Sequence, residues 1–124
     1  MTEIKNESGG VVRIADEVLS TIAGTAALET EGVVGLGGIG GYFSRETLNK
    51  ALRKLRGKGI SVAVTGRSVT IGLTIMVRMG TKLHEASLDV QRRVKSEIET
   101  MTGLDVAEVN VSVGAIVGNK KRAS

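Results

Sequence analysis

The 124-residue sequence predicts an α+β fold, a two-layer sandwich with two main helices on one face of a small, mostly antiparallel sheet. Three observations carry that expectation. Apolar residues alternate strictly between Ile60 and Met79, the period of strands with one buried face. Two stretches, one before and one after that region, repeat apolar residues at spacings of three and four, as amphipathic helices do. Glycines stand at the ends of these stretches, where the chain must turn.

The elements follow in order. Residues 10–14 (GVVRI) read as a short strand. Asp16 is placed to cap the helix that follows, whose stripe is Val18, Leu19, Ile22, Ala23, Ala26 and Ala27, with Gly32 as its stop. Five of the seven residues 35–41 are glycine, a flexible loop with at best a stub of strand at Val33 and Val34 before it. A short helix is expected next, capped by Ser44 and stapled by Phe43 against Leu48. Ile60, Val62 and Val64 then face one way. A II′ turn at Gly66 and Arg67 pairs Val64 with Val69, Val62 with Ile71 and Ile60 with Leu73. Thr81 is a reasonable cap for the longest helix, whose stripe is Leu83, Ala86, Val90, Val94, Ile98 and Met101, ended by Gly103. The last strand alternates Val109, Val111, Val113, Ala115 and Val117 on one face. Without the basic helix the order is β-α-β-β-α-β.

Charge is unevenly spread. Arg45, Lys50, Arg53, Lys54, Arg56 and Lys58 stand against Glu46 alone, and Lys120, Lys121 and Arg122 close the sequence. The remainder holds eight basic and twelve acidic residues, a mildly acidic scaffold carrying two basic appendages. The first six are the candidate anion- or partner-binding residues, with a solvated helix face as the plainer reading. Thr70, Thr74 and Met76, on the mixed face of the hairpin, are the candidate self-association surface.

Composition narrows the chemistry. There is no cysteine or tryptophan and there is one histidine, which leaves no thiolate site and no nucleophile relay. A G-x-G-x-x-G stands at Gly35, Gly37 and Gly40, but it follows a helix and lacks the acidic residue that holds a ribose roughly 20 positions on. His84-Glu85 opens like H-E-x-x-H, yet Leu88 stands where the second histidine belongs. The sequence therefore gives no catalytic residue, cofactor or metal, and the expectation is a non-enzyme. The polar start and the lack of a long apolar run read as a cytoplasmic chain without a leader.

Residues 12–36 and 90–113 carry a resemblance. The A-x-x-E-x-E-G-V segment at Ala26 to Val33, the M-T-G-L at Met101 to Leu104 and the V-N-V at Val109 to Val111 are similar to the alkaline shock protein family of bacterial envelope-stress proteins. That resemblance implies a single family-like domain over 10–117, with a flexible start at 1–9, a glycine-rich and basic insert at 35–59 and a basic tail at 118–124. It also implies a non-enzymatic stress-response protein that associates with itself and with a small membrane-anchored partner, peripheral at the inner face of the cell membrane. The basic helix at 44–58 leaves a nucleic-acid-binding module as the alternative. No small-molecule substrate is expected.

Overall fold

A computed structural model of the chain describes residues 2–5, 8–37 and 59–118. The six basic residues from Arg45 to Lys58, the short helix expected there and the basic tail lie outside the described residues.

The main body is one sheet with two helices packed on one face and on each other. Its strands are β3 (Val33–Leu36), β4 (Ile60–Thr65), β5 (Ser68–Arg78) and β6 (Asp105–Val117), and its helices are α1 (Asp16–Leu28) and α2 (Leu83–Thr102). β5 is the central strand. One of its edges is paired along its whole length with β6, in parallel. The other is shared end to end by β4 and β3, both antiparallel. Gly37 N–H donates to Thr74 O, and Thr74 N–H donates to Gly59 O, both at 2.7 Å. β3 and β4 thus behave as one edge strand interrupted opposite Thr74, between Gly37 and Gly59.

The hairpin forms as the sequence predicts. All three apolar pairs are present, and Gly66 takes φ +63° while no non-glycine among the described residues, Arg67 included, has positive φ, as a II′ turn requires. Val69, Ile71, Leu73, Ile75 and Val77 of β5 point at the helices and are buried. Leu19, Ala23, Ala26 and Ala27 of α1 meet them, together with Val90, Val94 and Ile98 of α2. The alanines of α1 keep that helix close to its neighbours.

Several local expectations are corrected. Thr2–Lys5, read as part of a flexible start, forms β1 and pairs antiparallel with β2 (Val11–Ile14). This ribbon is a separate two-stranded sheet, so the strand expected at 10–14 does not belong to the main sheet. Its place is taken by β3, so Gly35 and Leu36, counted with the insert, are sheet residues, and Gly59, also counted with it, leads into β4 with its carbonyl bonded to β5. α1 is flanked by Ala15 and ends at Leu28, so Asp16 lies in its first turn and does not cap it. Lys82, not Thr81, is the residue before α2. Gly32 serves the turn into β3. It has φ +92°, its carbonyl accepts from Arg78 N–H at 2.9 Å, and a Cβ there would lie 2.5 Å from Thr81 Cγ2. Gly103 does end α2, in the left-handed conformation.

β6 departs furthest from simple alternation. Its pairing with β5 shifts between Val69 and Thr70 and again between Ile75 and Met76. Each shift inserts one extra residue, around Ala107 and Gly114, and reverses the faces beyond it. Val106 and Val109 therefore both reach the core. Ala115 and Val117, expected beside Val113, align instead with Met76 and Arg78 on the opposite face, and Ile116 aligns with Val77.

Candidate interaction surface

The face of the sheet away from the helices is built by the other half of the alternation. The register sets Ser61, Gly72 and Asn110 in one row, Ala63, Thr70 and Glu108 in the next, and Thr74 beside Ser112. These side chains are small and mostly uncharged, with hydroxyl or amide groups. Ser61, Gly72, Thr74, Asn110 and Ser112 line a shallow recess of about 310 Å³. A Cβ at Gly72 would meet Ser61 Oγ at 2.5 Å, so the hydroxyl occupies the space that the glycine leaves.

Of the three residues expected to form a self-association surface, Thr70 and Thr74 lie half-buried on this face. Met76 does not qualify. It shares the face by register, between Gly35 and Ala115, but it is 0% exposed. Alternation assigns a side chain to a face and leaves its coverage to the rest of the structure.

The second surface is the outer edge of β6, and α2 treats its two halves differently. Gln91, Lys95 and Glu99 are spaced by four along α2, one turn apart on the same side. Gln91 Nε2 donates to Val109 O at 2.9 Å and Lys95 Nζ donates to Val106 O at 3.1 Å. Val106 N–H donates to Glu99 Oε2 at 3.0 Å, and Lys95 Nζ reaches the same oxygen at 3.1 Å. The Val106 amide, and after it Lys95, hold the Glu99 carboxyl below the usual carboxylate range. Side chains of the helix thus satisfy the outward backbone groups of the first half of β6. The sequence reading missed this trio, although its four-residue spacing beside Val90, Val94 and Ile98 was a usable signal.

Past Val109 this sealing stops. Since Val109 O points outward, the two-residue period of the strand turns the polar groups of Val111 and Val113 outward as well. No side chain of the described residues bonds to them. Val113 is 36% exposed and Ile116, past the bulge, 49%.

The remaining motifs serve structure. Gly35 pairs with Met76 within β3, and Gly37 bonds to Thr74 through its N–H. Gly40, the third glycine of that motif, lies outside the described residues. His84 is exposed. Its neighbours Glu85 and Asp89 pair with Lys82 at 3.7 Å and Arg92 at 3.3 Å, across a turn of helix. Together with Glu31 and Arg78 these acids border an open recess of about 350 Å³ with charges of both signs. Among the described residues no group of three or more histidine, cysteine, aspartate or glutamate side chains could hold a metal ion.

Fold and surface together define a small α+β domain whose outstanding features are a mostly uncharged sheet face and a half-sealed strand edge. The chain belongs to the alkaline shock protein 23 family, described by a cell envelope-related function, whose model matches residues 4–117. It is 32% identical over 114 residues to an uncharacterized protein of Streptococcus pyogenes serotype M6, covering 91% of this chain and 93% of that one. It is also 32% identical over 108 residues to the uncharacterized protein YloU of Bacillus subtilis, covering 86% and 88%. A "stress response regulator gls24 homolog" of Streptococcus pyogenes serotype M3 is 29% identical over 119 residues, covering 90% of this chain and 65% of that protein. Among solved structures, a variant of MamM-CTD covers 82% of this chain and 98% of its own, with 14% identity and a TM-score of 0.49, too distant to bear on fold or function. The envelope-stress family expected from the motifs is thus the family of this chain. Among the described residues no helix is long and apolar enough to cross a membrane.

Proposed function

We propose that this chain is a non-enzymatic interaction protein of the envelope stress response, which associates with itself and is held at the inner face of the membrane by a small membrane-anchored partner. The observation that supports the reading best is the pairing of a mostly uncharged, hydroxyl-rich sheet face with a half-sealed strand edge on one small domain. Such surfaces recruit protein through backbone pairing and close packing of small side chains. Thr70 and Thr74 stand at the centre of the face, which is the proposed contact for the anchoring partner, while the strand edge serves the second copy. The family's cell envelope-related function and the relative named for stress response give the setting.

Light scattering on the pure chain tests self-association, and a monomer at high micromolar concentration overturns it. Flotation tests the anchoring. The pure chain is expected to float with native membranes, to lose that property when the membranes are stripped with protease, and to remain in solution with protein-free vesicles. Flotation with protein-free anionic vesicles overturns anchoring through a partner.

A second reading rests on charge, since six bases gather at Arg45, Lys50, Arg53, Lys54, Arg56 and Lys58 against one acid. A cluster of this kind binds nucleic-acid phosphates by releasing counterions. On that reading the chain retards RNA or DNA, the effect fades steeply with added salt, and Arg53→Ala with Lys54→Ala weakens it. No salt-dependent retardation removes it.

A further inference from the structure

We infer that the second half of β6 is the self-association interface, pairing antiparallel across a two-fold axis near Ser112 with the same strand of a second copy. This rests on the self-association proposed above and assigns it a place. An edge strand with free backbone groups is a template for another strand, and proteins ordinarily block it with charge, proline or a covering side chain. Here the blocking by described residues covers only the first half. Val106 and Val109 are occupied by Lys95, Glu99 and Gln91 of α2. From Val109 to Asn119 the sequence has no charged residue and no proline. The strand does not fray at its end, because Met79 N–H donates to Val117 O at 2.8 Å and ties it to the centre of the sheet. The result is an edge that no side chain of the described residues blocks, beside exposed Val113 and Ile116.

Charge names the occupant. The strand begins acidic, at Asp105 and Glu108, is neutral in its middle, and continues in sequence into Lys120, Lys121 and Arg122. A second copy laid antiparallel brings the end of each strand, after which the sequence turns basic, toward the acidic start of the other. A parallel copy sets like charges side by side, which is unfavourable for strands in register. The pattern is complementary to itself in one orientation only, and a two-fold arrangement uses the same surface on both copies.

The chain contains no cysteine, so single cysteines report the geometry directly. At the two-fold axis the two copies of residue 112 come within the roughly 4.4–6.8 Å between Cα atoms that a disulfide needs. Moving the cysteine two residues along separates the copies by about 13 Å, since both shift in opposite directions at about 3.3 Å per residue. Under mild oxidation the covalent dimer is expected to peak at Ser112→Cys and to be largely lost at Asn110→Cys and Glu108→Cys. All three side chains are exposed. Val113→Lys, at an exposed position, is expected to abolish the dimer in light scattering while leaving the circular dichroism spectrum and melting temperature near those of the parent. Thr74→Lys, on the sheet face, is expected to leave the dimer in place.

Equal cross-linking at the three positions overturns the antiparallel arrangement. A parent that self-associates, but whose Val113→Lys variant does so equally well, overturns this interface and leaves self-association standing. Loss of the dimer with Thr74→Lys alone moves the contact to the sheet face. A monomeric parent removes self-association and this interface together.

Discussion

The two faces of β5 are made by one strand, in one register, and they have opposite tasks. On one side Val69, Ile71, Leu73, Ile75 and Val77 meet the helices and hold the fold together. On the other, Ser68, Thr70, Gly72 and Thr74 carry almost no apolar bulk and, among the described residues, have no helix over them. The difference teaches that stability and contact are separated here by a single residue along the chain. Substitutions on the first face should act on folding, and those on the second on association.

That separation can be broken most forcefully at Ile75. It is fully buried in the core cluster to which both helices and the sheet contribute, and Ile75→Ala removes methyl groups and leaves a cavity. The expected loss is about 2–5 kcal/mol, read from urea or thermal unfolding. A loss near zero would mean that the helix layer does not pack on β5 as described.

The glycines sharpen the contrast at smaller scale. Gly32→Ala places a side chain at φ +92° and against Thr81, and the left-handed conformation alone costs roughly 1–2 kcal/mol. Gly72→Ala meets only the Ser61 hydroxyl, which can rotate aside, and its backbone is ordinary strand. It should unfold close to the parent. The pair therefore distinguishes a glycine required by the backbone from one that shapes a surface.

Glu99 is expected to add an acid-dependent component. Its carboxyl titrates below the ordinary value because the ionised form accepts from Val106 N–H and Lys95. A lowered folded-state pKa contributes stability that is present above the unfolded pKa, about 4.3, and is lost as pH falls through the folded value. Glu99→Gln should flatten this part of the acid limb when melting temperature is measured against pH. An unchanged limb assigns the acid sensitivity to other carboxylates. The smallest effect is expected at Thr70→Ala, an exchange of one small side chain for another away from the core, within about 0.5 kcal/mol in unfolding.

The parts legible in sequence are those whose geometry is local. The hairpin could be read to the residue because a period of two and a glycine-led turn leave one register that buries both runs. The stripe of α2 was equally plain from Ala86 to Ile98, while its outer members Leu83 and Met101 are exposed because the stripe runs beyond the sheet it covers. β1 was not legible, and β3 only as a stub at Val33 and Val34. Each has four residues, too few for a periodic signal, and each is a strand only because a distant partner supplies its hydrogen bonds. The contact surface was half-legible: Thr70 and Thr74 follow from alternation, but Met76 is buried, and the trio Gln91, Lys95 and Glu99 gained meaning only when β6 was found beneath it.

By itself the sequence determined the class of fold, the register of the hairpin, the buried side of each main helix and, through its motifs, the family. These depend on spacing along the chain, and spacing is written there. Tertiary structure alone decided that the first ribbon stands apart from the main sheet, that β3 and β4 share one edge of β5, and that two bulges turn the end of β6 over. It also decided which half of that strand is sealed. Each of these is a choice among partners far apart in sequence, settled by which backbone groups remain to be satisfied once the core has closed.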